Sequence, residues 1–302
     1  MFSFKGLKIV ALAGLALGVS ALSAAAKDVI GASLLTQSHP FYIDLADAMK
    51  KEAAAQGIEL EVSIANQDLN KQLADVEDFI TKRVNVIVLS PVDSQGVRNI
   101  IRKAEKANIK VITVDVPANG VDVTSHIGTD NLTGGVNAGE MMAKLVGNKG
   151  EIAVINYPTV QSVVDRVTGF RQALEAHKDM KIVADQAGIT RAEALAAAEN
   201  ILQANPKVVG IFGFGDDAAL AAAAAVKAAK LESQVKVIGF DGMKEARDAV
   251  DNDPVFAAVV RQYPDKMGQT AVQTAVKVIK GEKVPALQPI IPGMYVRGGD
   301  AK

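Results

Sequence analysis

From residue 29 onward, apolar runs of strand length alternate with helical hydrophobic periods. Val29–Leu35 is followed by a helical pattern over Phe41–Gln56, and Glu59–Ile64 by one over Lys71–Arg83. Val86–Leu89 precedes a helical period at Ser94–Ala107, and Lys110–Val114 closes this first set. A second set repeats the arrangement, with strands at Glu151–Asn156, Lys181–Gln186, Val208–Phe212, Val235–Phe240 and Phe256–Arg261. The runs are nearly continuous in Val, Ile and Leu, as parallel strands covered on both faces require. Gly57 and Asn108 stand where helix C-caps belong. The expected fold class is therefore α/β, with two doubly wound parallel-sheet lobes pressed together around a cleft.

The first 26 residues carry a different pattern. Lys5 and Lys8 precede an apolar run, Ile9–Leu22, interrupted by Gly14, Gly18 and Ser20, and Ala24-Ala25-Ala26 supplies a small-residue cleavage pattern. This reads as a signal peptide cleaved near Ala26, so the mature chain is expected in the periplasm. The apolar run falls short of the roughly 20 residues that a membrane span needs. Composition narrows the chemistry further. The 302 residues hold 33 Lys+Arg against 34 Asp+Glu, so no basic excess points to nucleic acid. There is no cysteine, and the three histidines, His39, His126 and His177, form no H-x-x-x-H pair. Thiol catalysis, cysteine-ligated metals and a zinc enzyme are disfavoured, and no metal or cofactor is expected.

Ligands of doubly wound sheets sit outside the carboxyl ends of the strands. That rule selects Thr36, His39, Phe41 and Tyr42 after the first strand, Asp115 after the fourth, and Asp165-Arg166 beyond the strand ending at Asn156. It further selects Gly215-Asp216-Asp217, Asp241-Gly242 and Gln262-Tyr263. Carboxylates, a guanidinium, an amide, an imidazole and adjacent aromatic rings suit a small neutral polyhydroxylated molecule. Each member has a plainer alternative. Asp115 and Asp241 could be loop carboxylates, Asp216 a helix N-cap, and Arg166 a surface partner of Asp165 or Glu175. Phe41-Tyr42 could be core, and His39 part of a turn. Asp115 and Asp241 also admit reading as a glycosidase acid and base. The Gly213-Phe214-Gly215-Asp216-Asp217-Ala218 stretch has the letters of a dinucleotide loop, but two acids oppose a pyrophosphate there. No phosphate-binding G-x-x-x-x-G-K-[ST] and no G-x-S-x-G nucleophile motif is present.

Several of these segments together resemble the ribose-binding-like, type I periplasmic substrate-binding proteins of ABC sugar importers. The likeness rests on His-Pro-Phe-Tyr at 39–42, Ser90-Pro91-Val92-Asp93, Val111–Asp115, Ile127–Asn131, Asp165-Arg166 with Gly169-Phe170, Gly239–Gly242 and Gln262–Asp265, and it covers residues 27–302. The resemblance implies a non-enzymatic binding protein with a three-strand hinge crossed near Asp130, Gln262 and Pro289. It divides the mature chain into an N-terminal lobe of 27–129 plus 263–289 and a C-terminal lobe of 130–262 plus 290–302. The family's ligand positions fall on Phe41 and Tyr42 for stacking, and on Asp115, Arg166, Asp241 and Gln262 for hydrogen bonds. His39 stands where Asn is usual in that family, Val116 where Arg is usual, Ile189 where an aromatic ring is usual, and Gly215 where Asn is usual. Thr36, Ile189, Gly215 and Asp216 complete the expected cleft. These departures argue against ribose and leave another monosaccharide, a sugar alcohol or a cyclic polyol. The partners implied are the transmembrane subunits of an ABC permease, with a chemoreceptor or sensor kinase as a further one, and a monomer as the default state. A sugar-responsive repressor shares the core but carries a helix-turn-helix where this chain has its leader.

Overall fold

The computed structural model describes residues 1–2 and 27–301. The leader reading rests on residues that lie, for the most part, outside this range. No helix among the described residues is long and apolar enough to cross a membrane. The first half builds β1 (Val29–Leu34), α1 (Pro40–Gln56), β2 (Glu59–Ile64), α2 (Leu69–Lys82), β3 (Val86–Leu89), α3 (Arg98–Lys106), β4 (Lys110–Val114) and β5 (Ser125–Thr129). The second half continues with α4 (Asn131–Val146), β6 (Lys149–Asn156), α5 (Gln161–Glu175), β7 (Asp179–Ala187), α6 (Arg191–Ala204), β8 (Val208–Gly213), α7 (Asp216–Ala228), β9 (Lys236–Asp241), α8 (Lys244–Asn252) and β10 (Phe256–Arg261). Then follow α9 (Pro264–Ile279), β11 (Leu287–Ile290), β12 (Gly293–Val296) and β13 (Gly299–Asp300).

Two sheets result, ordered β11-β5-β4-β3-β1-β2 and β13-β12-β10-β9-β8-β6-β7. The first is parallel throughout. The second departs from the expected all-parallel form, because β12 runs antiparallel to β10 and β13 antiparallel to β12. The reason is the path of the chain. β10 ends where the chain leaves the second sheet, and β12 begins where it returns, so the two neighbours must point opposite ways. The chain crosses between sheets at Asp130, at Gln262-Tyr263 and at Ile291-Pro292. The third crossing lies beyond Pro289 because Ile290 still pairs with Thr129 in the first sheet.

Helices cover both faces of each sheet. On the first, Phe41, Leu45 and Met49 of α1 and Met267 and Val272 of α9 pack against Ile30, Leu34 and Val88. Val76, Phe79 and Ile101 fill the opposite face against Ile87 and Val111. The second sheet seats the small-residue face of α7 on Val208, Ile211 and Phe256. α3 begins at Arg98 rather than Ser94, because the Asp93 carboxylate accepts the N–H groups of Gln95 and Gly96 and holds the preceding turn. Its C-cap is Ala107, and Asn108 follows with a φ of +60°. β5 escapes the hydrophobic pattern because its polar residues are satisfied internally: Thr113 Oγ1 lies 3.0 Å from His126 Nδ1, and Ser125 donates to the Pro285 carbonyl at 2.8 Å.

One packing contact positions the later chemistry. α4 and α5 approach so closely that a Cβ on Gly135 would strike the Arg166 carbonyl, and one on Gly169 the Leu132 carbonyl. Both obstacles are backbone, which cannot swing aside. Gly135→Ala is expected to lower stability by about 2 kcal/mol or more through overpacking. Thermal unfolding checks this, with a midpoint equal to wild type as the contrary result.

Candidate functional site

The strand-end residues converge between the two sheets. A cleft of about 640 Å³ is lined by Thr36, His39, Phe41, Tyr42, Asp115, Arg166, Ile189, Gly215, Asp216, Asp241 and Gln262, whereas Asp165, Gly242 and Tyr263, which the strand-end rule also selected, lie outside this lining. Leu35, Gln67, Val116, Tyr157, Val160, Ser162, Val163, Phe214 and Asp217 complete the lining. Tyr157 and Phe214 were legible by the same rule, since each directly follows a strand, β6 and β8 respectively.

The second lobe contributes the most constrained group. Arg166 on α5 is 4% exposed. Its Nε donates to Asn131 Oδ1 at 2.8 Å, and its Nη1 donates to the Phe214 carbonyl at 2.8 Å and to Asp241 Oδ1 at 3.2 Å. The guanidinium lies 3.9 Å from the centre of the Phe240 ring. Its partner is thus Asp241, rather than Asp165 or Glu175. Asp165 instead accepts from Gln161 Nε2 at 2.7 Å. Asn131, which fixes the fork, stands two residues past β5, the strand whose polar residues hide it from the hydrophobic pattern, so the strand-end rule did not select it.

Asp241 ends β9 with a φ of +97°, and Gly242 follows at +70°. Asp241 Oδ1 also accepts Gln262 Nε2 at 2.6 Å, while Gln262 Oε1 accepts the Thr129 hydroxyl at 2.6 Å. Gln262 therefore joins two of the chain crossings and aims the carboxylate at the same time. Asp216 corrects the capping expectation. It is the first residue of α7, Gly215 occupies the cap, and the Asp216 carboxylate accepts the N–H groups of Gly242 at 3.1 Å and Met243 at 2.7 Å. Burial raises its pKa well above the usual carboxylate range, reinforced by the charge of Asp241 and opposed by those two N–H donors.

From the first lobe, Asp115 stands just past β4 with a φ of +63° and is 4% exposed. The Tyr42 hydroxyl donates to Asp115 Oδ2 at 2.6 Å. Tyr42 is therefore more than a stacking ring; Phe41 meets its edge at 5.1 Å between centroids. Burial pushes the Asp115 pKa up to about 6, against the opposing pull of Arg166 and the Tyr42 hydrogen bond. Burial and the neighbouring Asp115 charge raise the Tyr42 pKa as well, so its hydroxyl stays a donor. His39 caps α1 by accepting the Phe41 N–H at Nδ1, 3.2 Å, and its Nε2 reaches across to 3.6 Å from Asp241 Oδ2. His39, Asp216 and Asp241 bring potential metal-ligating atoms within 4.8 Å of one another. Those carboxylates are already committed to backbone N–H groups, Gln262 and a guanidinium. The donor set is that of a hydrogen-bonding site.

Comparison with known proteins agrees with this geometry. The family model described as a periplasmic binding protein domain matches residues 30–283. The ribose import binding protein of Escherichia coli (strain K12) is 38% identical over 283 residues, covering 93% of this chain and 95% of its own length. A solute-binding protein from Mycobacterium smegmatis with bound glycerol superposes with a TM-score of 0.84 at 37% identity, over 89% of this chain and 93% of that one. Another from Actinobacillus succinogenes 130z with bound D-allose gives a TM-score of 0.84 at 30% identity, over 90% and 98%.

The raised Asp115 pKa has a consequence for stability. In the unfolded chain this carboxyl loses its proton near 3.8, and in the fold only near 6. Between those values the folded state holds the extra proton, so this group's contribution to stability falls as pH rises. Asp115→Asn removes that loss. In urea unfolding at pH 4.5 and pH 7.0, the variant is expected to gain on wild type at the higher pH. An equal difference at both pH values is the contrary result.

Proposed function

The chain belongs to the periplasmic binding protein family, and from that premise we propose that it is the solute-binding component of an ABC sugar importer. It takes a monosaccharide or sugar alcohol into the interlobe cleft and passes it on chemically unchanged. The observation that carries this reading is the meeting of carboxylates from two separate sheets in one cavity, each already oriented by a partner: Asp115 by Tyr42, and Asp241 by Arg166 and Gln262. Such carboxylates accept hydrogen bonds from the hydroxyls of a neutral polyol. Phe41, Tyr42, Asp115 and His39 act from the first lobe, Arg166 and Asp241 from the second, and Gln262 at the crossing. Thr36, Ile189, Gly215 and Asp216 shape the remaining wall.

The lobes, 27–129 with 263–290 and 130–262 with 291–302, rock about the three crossings. A solute touching both lobes favours closure by its differential affinity for the closed form. Contacts across the cleft support such a closed form. The Ser94 N–H donates to the Thr159 carbonyl at 3.3 Å, the Gln161 N–H to Ser94 Oγ at 3.1 Å, and Asn119 Nδ2 to Gln161 Oε1 at 2.6 Å. The closed form is what the permease subunits recognise, and a chemoreceptor or sensor kinase would use the same cue. Export by the leader, with cleavage near Ala26, places the mature chain in the periplasm.

Thermal-shift screening with D-ribose, D-allose, glycerol and myo-inositol, followed by calorimetry, tests the reading. At least one is expected to bind. Asp241→Ala or Arg166→Ala is expected to weaken it about tenfold or more, while apo unfolding stays cooperative. No shift with any of the four or with deoxy forms of the sugars, or unchanged affinity in both variants, would refute the assignment.

A further inference from the structure

Polarity in the cleft follows strand order. Counting outward from the crossing strand β10 in the second sheet, the strand ends supply Gln262, then Asp241 from β9, then Phe214 after β8, Tyr157 after β6 and finally Ile189 after β7. Val160 and Val163 extend the outer section, and Val116 faces it from the first lobe. Hydrogen-bonding groups are therefore concentrated beside the hinge, and an aliphatic and aromatic collar occupies the far end. The polar groups on the outer side are the Ser162 and Tyr157 hydroxyls and two rim residues, exposed Gln67 and half-buried Asp217, the latter tied to Arg191 at 2.7 Å.

The polar end is also sparse. Gln262 spends its amide on Thr129 and Asp241, and both Asp216 oxygens hold backbone N–H groups. Tyr42 occupies Asp115 Oδ2 as a ligand hydroxyl otherwise could. Among the described residues, Asp115 Oδ1 and Arg166 Nη2 carry no hydrogen bond, and both lie at this end. A solute hydroxylated all round would thrust a hydroxyl into the collar, where it loses water and meets aliphatic side chains with only the Ser162 and Tyr157 hydroxyls nearby.

Building on the sugar-class reading above, we propose that the solute is a deoxy sugar. Its hydroxyls face Asp115, Arg166 and Asp241, and its deoxygenated terminal carbon rests against Val116, Val163 and Ile189. A hydroxyl misplaced in an apolar pocket costs about tenfold or more in discrimination.

Matched pairs test this by calorimetry: 5-deoxy-D-ribose against D-ribose, 6-deoxy-D-allose against D-allose, L-fucose against L-galactose, and L-rhamnose against L-mannose. In every pair with a binding member, the deoxy sugar is expected to bind about tenfold tighter or more. Ile189→Asn, which offers the collar a polar partner, is expected to narrow that ratio at least threefold (about 0.65 kcal/mol). A parent sugar that binds as tightly as its deoxy form overturns the proposal, as does an unchanged ratio in the variant. If no pair binds while a solute of the four-member screen does, the deoxy assignment falls and the underlying reading stands. If nothing binds in either set, the underlying reading falls as well.

Discussion

Arg166 and Asp241 meet at 3.2 Å with side chains 5% and 12% exposed, and much of the second lobe exists to make that tolerable. Withdrawing two charges from water costs several kcal/mol per ion unless their other hydrogen-bonding valences are filled. Here they are filled by groups from separate elements: Asn131 on α4, the Phe214 carbonyl after β8, the Phe240 ring on β9 and Gln262 beyond β10. The glycines at 135 and 169 let α4 and α5 come close enough for Asn131 to reach the guanidinium. Gln262 carries the constraint into the hinge through Thr129. The geometry of the cleft floor and the geometry of the crossings are therefore one hydrogen-bonded unit.

The far side of the cleft is held differently. Leu35, Val92 and Val116 of the first lobe belong to the same apolar cluster as Tyr157, Val160 and Val163 of the second. Together with the Ser94, Asn119 and Gln161 hydrogen bonds, this contact is reversible in a way the floor is not. It involves loop ends and a helix start, and opening returns its polar groups to water. In the proposed cycle, rigid floor and separable mouth divide the work. The floor presents orienting charges in both states, and the mouth sets how much closure a solute must supply.

Much of this could be read from the chain. The bounds of β3, β4 and β10 coincide with the apolar runs because parallel strands buried on both faces leave little choice of residue type, while β2, at the sheet edge, shows instead as alternating polar and apolar residues. The strand-end rule then found Asp115, Asp241 and Gln262 without knowledge of their contacts. What it missed has two causes. Asn131 follows β5, whose polar Ser125 and His126 conceal the strand, and the bond of Tyr42 to Asp115 spans 73 positions. The role of Asp216 was misread for a related reason: it does sit at a helix start, but its carboxylate turns to the N–H groups that follow β9. The antiparallel edge of the second sheet follows from chain path, which local periodicity does not encode.

Asp115 illustrates how a binding site and a stable fold differ in what they ask of a residue. Stability alone would replace a carboxylate that is 4% exposed and uneasy enough for its pKa to rise to about 6. Tyr42 supplies one donor, and Arg166 lends its charge, yet Oδ1 has no hydrogen-bond partner among the described residues. An acceptor kept short of donors is stabilised by any hydroxyl delivered to it, so the strain in the unliganded cleft becomes affinity when a polyol arrives. Val116 and Gly215 sharpen this, since neither offers a side-chain donor in competition with the solute. Gly215 leaves Asp241 Oδ2 so close that even a Cβ would sit 3.0 Å from it. Selectivity in such a site comes as much from the donors that the chain withholds as from those it provides.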